Sequence, residues 1–232
     1  MERYRHEIKY LIDVYDAKLI KDRISKIMKK DAHASNGSYL ISSLYFDDYD
    51  DSCYYDVESG IDLRNKYRIR TYNHRHEIIS LESKFKRNSM TFKRTNPLSE
   101  KEAKCLVGGK YLRNFDEKEE IKKELSYLIM TKQYHPAVIV EYERIPYVYE
   151  DGNVRITLDF NICSSNDVDN FLGNFTKKRP ILEENKLILE VKYDDYLPDI
   201  IYDCINIGNM EQLSISKYAL CRRYSIGEDD LL

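Results

Sequence analysis

KYRIRTY, residues 66–72, consists mainly of aromatic, β-branched and cationic residues and contains no residue that breaks a strand. This composition predicts a β-strand. Because side chains alternate across a strand, Lys66, Arg68 and Arg70 share one face and the opposite face is mainly apolar. A strand face with three cations must meet either water or an anionic ligand. The charge pattern of the other predicted strands distinguishes between these two environments.

The composition narrows the class of protein. The chain has 232 residues, of which 33% are charged and 42% hydrophobic, as in soluble globular proteins. Its net charge of −3 argues against a general nucleic-acid binder. Five cysteines without a CxxC pair favour reduced thiols. With no apolar run of membrane-spanning length and no signal-peptide pattern, we expect a cytoplasmic protein. We expect one domain over residues 1–232, with a frayed tail at 226–232.

Periodicity predicts alternating strands and helices. About eight strands are predicted, at residues 5–14, 39–47, 63–73, 77–87, 89–95, 137–150, 154–162 and 186–194. Helices are predicted at residues 16–30, 99–107, 117–132, 196–206 and 217–224. Asp16 is the predicted N-cap of the first helix, and Ser99 with Glu102 is a predicted capping box. The acidic run 47–51 lacks the EF-hand pattern and is interpreted as an exposed loop, and residues 164–185 are interpreted as mostly loop.

Most predicted strands have one apolar and one charged face. The charged faces carry Arg68, Arg70, Lys84, Lys86, Arg144, Arg155 and Lys192, interleaved with the carboxylates of Glu7, Glu82, Asp159 and Glu190. An α+β fold, in which helices cover the outside of an antiparallel β-barrel and the charged faces line its lumen, accounts for this pattern. On the same parity, Asn161 is predicted to face the lumen with Asp159.

A lumen lined in this way points to phosphate and a metal ion. Crowded cations repel one another and lose hydration, and a bound polyanion relieves both costs. Phosphate is the usual partner of Arg and Lys. The interleaved carboxylates would repel phosphate unless Mg²⁺ or Mn²⁺ bridges them. The sequence therefore predicts a metal-assisted phosphate site inside the barrel.

Other phosphate-binding and hydrolytic motifs are missing. The sequence has no GxxxxGK[ST] P-loop and no GxGxxG fingerprint. The five histidines form no HExxH pair, and His74 and His76 lie in a polar loop, where we expect them to be exposed. Nucleotide or phosphate chemistry would therefore have to use the barrel.

Eight short segments in a fixed order resemble a known family. They are EIKY at 7–10, SLYFD at 43–47, KYRIR at 66–70, LESK at 81–84, VEYER at 140–144, RITLD at 155–159, LEVK at 189–192 and SKY at 216–218. Together they resemble the VTC domain, the polyphosphate polymerase domain of the vacuolar transporter chaperone complex, within the CYTH-like triphosphate tunnel metalloenzymes. The resemblance runs from about residue 3 to residue 224.

This resemblance implies a β-barrel tunnel that transfers the γ-phosphate of ATP to polyphosphate with Mn²⁺ or Mg²⁺ and releases ADP. Matching positions imply catalytic roles for Lys9, Arg68, Arg70, Lys84, Arg144 and Lys217. The same residues, together with Lys86, Tyr142, Arg155, Lys192 and Ser216, are implied to contact phosphate. Glu190 is implied to be the principal metal ligand, assisted by Glu7 or Glu82. Lys86 departs from the eukaryotic motif, which has a His there.

Two other functions use the same barrel. One is a triphosphatase acting on inorganic, thiamine or nucleoside triphosphate, with water as the acceptor. The other is a non-catalytic module that binds polyphosphate, although a carboxylate at Glu190 gives no advantage for anion binding alone. A soluble β-domain with merely solvated charged faces is a further alternative. The expected ligands are ATP or another triphosphate and polyphosphate, without nucleic acid. Any membrane coupling would need a separate membrane protein, and the oligomeric state stays open.

Overall fold

The computed structural model describes residues 4–227 except 32, 33, 35, 36, 88, 89, 174–176, 209 and 211. Its strands are β1 Arg5–Asp13, β2 Lys29–Lys30, β3 Tyr39–Asp47, β4 Arg64–Tyr72, β5 Arg75–Arg87, β6 Met90–Pro97, β7 His135–Tyr149, β8 Val154–Ser165, β9 Arg179–Pro180 and β10 Lys186–Tyr193. Its helices are α1 Val14–Ile24, α2 Ser52–Glu58, α3 Glu100–Val107, α4 Glu120–Lys132, α5 Asp199–Ile205 and α6 Lys217–Ser225.

Eight of the strands close into an antiparallel barrel. Around it the order is β7-β3-β4-β5-β6-β1-β10-β8, and β8 pairs back with β7. Among the described residues, the pairing of β1 with β6 is the shortest in this ring, joining Arg5 to Thr91 and His6 to Met90. The two-residue strands β2 and β9 extend the sheet beyond the ring. The predicted α+β fold, an antiparallel barrel with helices on the outside, is confirmed.

The apolar strand faces point outward and pack under the helices. On one side, Ile20 and Ile24 of α1 pack in a core with Leu189 and Val191 of β10. A second core joins the outward side chains of β3, β4, β5 and β7 to α2, α3, α4 and α6. Burial of these side chains supplies the main stabilising free energy of the fold. The inward faces are thereby free to carry charge.

The first helix begins earlier than its pattern suggested. Asp13, and not Asp16, is its N-cap, because the Asp13 carboxylate accepts a hydrogen bond from the Asp16 backbone N–H at 2.8 Å. The helix ends at Ile24, and Lys29–Lys30 pairs with β7 instead of completing the last turn. At α3 the predicted capping box is confirmed: Ser99 N–H donates to Glu102 and Glu102 N–H donates to Ser99.

The acidic run at 47–51 is not simply an exposed loop. Asp47 is fully buried and accepts hydrogen bonds from the Cys53 N–H at 2.9 Å, the Tyr54 N–H at 3.1 Å and the Tyr218 hydroxyl. Burial raises the pKa of this carboxyl. Asp47 thus ties α2, which periodicity missed, to α6. The expected exposure holds within this run for residues 49 and 50.

The prediction that Asn161 faces the lumen is wrong, because the strand is irregular at this residue. Its backbone has a φ of +52°, near the register shift of β7 against β8. The side chain is exposed, and its amide donates to Glu143 at 2.9 Å. A β-bulge breaks the alternation of faces, which periodicity alone cannot anticipate.

Three further expectations have mixed outcomes. Residues 164–185 contain β9, which pairs with Cys163 and Ser164, so this region is less irregular than predicted. Of the predicted tail at 226–232, residues 228–232 lie outside the described residues. Among the residues that the structure describes, no helix combines the length and apolar character needed to cross a membrane.

The turn between β7 and β8 requires glycine at position 152. Gly152 has a φ of +68°, and a Cβ there would lie 2.7 Å from the Tyr196 backbone oxygen. We expect Gly152→Ala to lower the free energy of unfolding by about 2–4 kcal/mol, since left-handed strain and overpacking add. Gly109→Ala is the control, because Gly109 has a φ of +69° with open space around it; it should cost only about 1 kcal/mol.

Urea unfolding followed by circular dichroism measures both variants. Equal losses for the two variants would contradict the close approach of the Tyr196 carbonyl to Gly152.

Candidate active site in the barrel lumen

The cationic face of β4 points into the barrel, and we call the enclosed space between the inward strand faces the lumen. Arg68 donates to Glu82 at 2.8 Å from Nε and 2.6 Å from a terminal nitrogen, and to the Tyr45 hydroxyl at 2.6 Å. Arg70 is buried and donates to Ser43 at 3.2 Å and to Tyr142 at 3.3 Å. Residues 66–72 therefore contribute two guanidinium groups, each held by hydrogen bonds, to the lumen.

Four ionised side chains form the centre of the lumen. Arg144 makes a two-bond pair with Asp159, at 2.6 Å for each bond. The Lys217 ammonium lies 2.6 Å from Asp159 and 2.6 Å from Glu190, and Arg144 also reaches Glu190 at 3.2 Å. All four residues are buried. The chain thus balances its innermost cations with its own carboxylates.

A second group of charges is formed by side chains that β1, β5 and β10 project into the lumen. The Lys84 ammonium contacts both carboxylate oxygens of Glu7, at 2.8 and 2.6 Å. Lys9 lies 3.0 Å from Glu7 and 3.9 Å from Glu190, and Lys192 lies 2.9 Å from Glu190. Glu7 and Glu190 therefore share the ammonium group of Lys9.

The electrostatic environment keeps these carboxylates ionised. Burial opposes ionisation of Glu190, but Lys192, Lys217, Lys9 and Arg144 outweigh it and hold its pKa well below the usual range. Burial also opposes ionisation of Glu7, and the nearby lysines again hold the pKa well below its usual range. The lumen therefore presents fixed negative charges among a larger number of cations.

Lys84 and Lys66, unlike these carboxylates, have pKa values shifted toward the uncharged form. Burial lowers the pKa of Lys84 to about 7, and repulsion from Lys9 and Lys192 works against the attraction of Glu7. Lys66 has its pKa lowered well below the usual range by burial and by the charges of Lys84 and Lys9. Its ammonium group donates to Ser216 at 3.0 Å, and among the described residues no carboxylate lies within ion-pair distance of it. Lys66 could therefore pair with an anion without first leaving a carboxylate.

Three cavities follow the tunnel. The lumen cavity, of about 70 Å³, is lined by Lys9, Tyr45, Lys66, Arg68, Arg70, Lys84, Tyr142, Arg144, Glu190, Lys192, Ser216, Lys217 and Tyr218. The mouth cavity, of about 310 Å³, shares Lys66 with it and adds Glu7, Arg64 and Lys86. The far-end cavity, of about 500 Å³, is lined by Asp31, Tyr39, Tyr72 and Arg155, among others. Because β4 runs from Lys66 through Arg70 to Tyr72, the mouth and far-end cavities lie at opposite ends of the lumen.

Most of the predicted phosphate-binding residues meet in the lumen. Those that line the lumen cavity are Lys9, Arg68, Arg70, Lys84, Tyr142, Arg144, Lys192, Ser216 and Lys217. Lys86 lines the mouth cavity and not the lumen cavity. Arg155 does not join them: it pairs with Asp31 at 2.8 Å and with the Tyr39 hydroxyl at 3.0 Å in the far-end cavity. Strand parity correctly indicated its face but carried no information on its depth along the barrel.

The predicted metal ligands are only partly brought together. Glu7 and Glu190 meet at Lys9, whereas Glu82 is held by Arg68 at 2.6 Å and by Lys93 at 2.8 Å. Within the described part of the chain, no group of three or more His, Cys, Asp or Glu side chains is arranged to hold a metal ion. Any ion would therefore need phosphate or water oxygens beside one or two carboxylates, as Mg²⁺ commonly has.

Sequence reasoning missed four contributors to the lumen. The sequence marks Lys66 and Asp159 as charged residues on inward faces, and Tyr45 and Tyr218 lie in the matched segments SLYFD and SKY, but neither signal assigns them a role in the site. The prediction that His74 and His76 are exposed is confirmed; His33 lies outside the described residues.

Ser216 is the N-cap of α6, so the positive end of the helix dipole also faces the lumen.

Comparisons with known proteins agree with this architecture. The family profile of the VTC domain matches residues 4–226, and a search of curated proteins found no match. A Hippeastrum protein named as an adenylyl cyclase, in which triphosphatase activity is dominant, has a TM-score of 0.52 and 14% identity over 97% of this chain and 96% of that chain. A Pyrococcus horikoshii protein has a TM-score of 0.51 and 12% identity over 93% and 98%. At these identities the likeness is one of fold.

Arg70→Ala tests the lumen as an anion site. We expect binding of inorganic triphosphate to weaken by about 2–5 kcal/mol, the usual result of truncating one partner of a buried charge pair. Arg113→Ala, at an exposed position, should bind like the unaltered protein. Isothermal titration calorimetry provides the comparison, and equal affinity of both variants would rule out Arg70 as a contact.

The lowered pKa of Lys84 predicts a pH-dependent affinity. Above about pH 7 the Lys84 amine is mostly neutral in the free protein, so it must take up a proton when it pairs with a bound phosphate. Binding of triphosphate in EDTA should therefore weaken from about pH 6 to about pH 8, by up to about 1.4 kcal/mol per pH unit. Lys84→Arg keeps the charge at every pH and should reduce this dependence.

The triphosphate has the same ionisation state at a given pH for the unaltered protein and for Lys84→Arg. The difference between their affinities therefore reports on residue 84 alone. Identical pH profiles would refute a titrating Lys84.

Proposed function

The chain belongs to the VTC domain family and has the triphosphate tunnel fold, and from that premise we propose that it is a metal-dependent polyphosphate polymerase. It would transfer the γ-phosphate of ATP to a growing polyphosphate chain. The observation that carries this proposal is the lumen centre, where the buried cations Arg144 and Lys217 surround the buried carboxylate Glu190. Cations alone would serve anion binding, whereas a carboxylate among them suits a metal ion beside phosphate.

Substrate binding exchanges internal ion pairs for phosphate contacts. The lumen cavity of about 70 Å³ is small because the chain's own ion pairs fill the centre. Phosphate oxygens offer Arg68, Arg70, Lys192 and Lys217 new charge-assisted partners. Lys66 adds a donor whose present partner is the hydroxyl of Ser216. The triphosphate would therefore lie along the lumen with its terminal group among these cations.

The donor set fits Mg²⁺ or Mn²⁺. Glu190 and Glu7 provide hard carboxylate oxygens that approach the same ammonium group, and the remaining positions suit phosphate oxygens and water. Once phosphate engages Lys192, Lys217 and Arg144, lone pairs of Glu190 become free for an ion. When bound, a divalent ion would neutralise charge on the phosphate oxygens. Glu82 stays with Arg68 and Lys93, so we assign it to positioning those cations.

The reaction needs little covalent work from the protein. A terminal oxygen of the acceptor phosphate attacks the γ-phosphorus, the bond from that phosphorus to the β–γ bridging oxygen breaks, and ADP leaves with the bond's electron pair. Arg70, Arg144 and Lys217 align the reacting groups and stabilise the charge on the equatorial oxygens. No nucleophilic side chain is required, because the acceptor itself is the nucleophile.

A triphosphatase is the second candidate. Water can replace phosphate as acceptor in the same lumen, and the mouth cavity of about 310 Å³ admits it. The dominant triphosphatase activity of the Hippeastrum protein, which shares the fold, also favours this candidate.

Phosphorus NMR of the protein with ATP and Mn²⁺ separates the candidates. We expect signals of internal chain phosphates to grow together with ADP. Orthophosphate alone would favour the triphosphatase, and tight triphosphate binding without turnover would favour a binding module. A sample treated with EDTA should show no turnover.

Glu190→Gln tests the metal site. The amide retains the shape but loses the charge that would attract an ion, so metal-dependent turnover should fall by at least about 100-fold, as for the loss of a key electrostatic group. Glu143→Gln is the matched control, since Glu143 lies on the outward face of β7 and bonds to Asn161. Mn²⁺-dependent rates that stay equal in the two variants would exclude Glu190 as a ligand.

A further inference from the structure

Asp159 is a fully buried carboxylate at the centre of the lumen. One of its oxygens accepts from Arg144 Nε at 2.6 Å, and the other accepts from a terminal nitrogen of Arg144 at 2.6 Å and lies 2.6 Å from Lys217 Nζ. A carboxylate that engages a guanidinium through two bonds uses the geometry that a phosphate group would use. Asp159 therefore occupies the bonds that Arg144 and Lys217 would offer to an inner phosphate.

The geometry points to Asp159 as a positioning residue that aims Arg144 and Lys217 into the lumen and weakens their hold on bound phosphate, so that product can leave. This inference rests on the proposed function. Asp159 differs in role from Glu190, which also contacts Lys192 and approaches Lys9 on the β1 side of the lumen. In this role Asp159 acts through the two cations that it contacts.

Two effects of the carboxylate follow from its surroundings. Two buried cations side by side repel each other and lose hydration, so an anion between them keeps both in one orientation. The same negative charge repels a nearby phosphate and shares its donors, which lowers affinity. Moderate ground-state affinity favours turnover, because tight binding of substrate and product alike does not lower the barrier.

The cations would keep part of their alignment without Asp159. The centroid of the Tyr142 ring lies 5.2 Å from the guanidinium carbon of Arg144 and 5.0 Å from the Lys217 ammonium nitrogen. At these distances a ring face attracts a cation. Glu190 also remains in contact with both. A variant that lacks the Asp159 charge therefore still presents a cationic centre to phosphate.

Asp159→Asn tests the inference by calorimetry with inorganic triphosphate in EDTA. We expect the Kd to fall about tenfold, the size of one removed charge repulsion a few ångströms from the ligand. With ATP and Mn²⁺, KM and kcat should both fall, since product leaves more slowly. Glu143→Gln, which removes an outward carboxylate on β7, should leave Kd, KM and kcat unchanged. An unchanged or higher Kd in Asp159→Asn would overturn the inference.

Asp159→Glu is the second variant, should the Asn variant fail to fold. It keeps the charge but moves it by one methylene, so triphosphate affinity should stay within about threefold while kcat falls about tenfold through misaligned cations. A wild-type kcat, or a Kd that falls as predicted for Asp159→Asn, would overturn the positioning role. Failure of the unaltered protein to bind triphosphate would instead overturn the proposed function.

Discussion

Charge compensation inside a closed barrel is the constraint on which the rest of this structure depends. Cations buried together are unstable unless counter-charges lie beside them. Three inner cations have such partners: Arg144 has Asp159, Arg68 has Glu82, and Lys84 has Glu7. The carboxylates allow the barrel to fold without a ligand, yet they leave the lumen with more cations than anions. Under the proposed function, a polyanion would bind there by replacing these carboxylates as the partner of the cations.

The charged lumen determines where the hydrophobic core lies. Since the inward faces are polar, the apolar faces of the strands must be buried outside the barrel, under helices. Ile69 and Leu81 accordingly pack outward in a core with α3 and α4, while Arg68 and Glu82, their immediate neighbours in sequence, meet inside. These strands thus contribute an outward face to the hydrophobic core and an inward face to the charged lumen. A substitution in the lumen can change binding while leaving the outer core intact.

The lumen brings the first strand and the last helix of the structure together with the strands between them. Lys9 of β1 donates to the backbone carbonyl of Ile215 at 2.8 Å, and the next two residues supply the N-cap and first residue of α6. Lys217 then contacts Asp159 of β8 and Glu190 of β10, which are neighbouring strands. Because the centre depends on such distant segments, it forms only when the barrel has closed. Folding and site assembly are therefore the same event.

Local patterns determined the strands, the faces that they turn inward and the capping box at Ser99, because a period of two and a cap are properties of neighbouring residues. Ordered motifs determined the family. The tertiary structure alone decided depth and partners along the lumen: it placed Arg155 at the far end, separated Glu82 from Glu190, buried Asp47 and turned Asn161 outward. Strand register and bulges set these positions, and they arise from pairing between distant segments, which periodicity does not record.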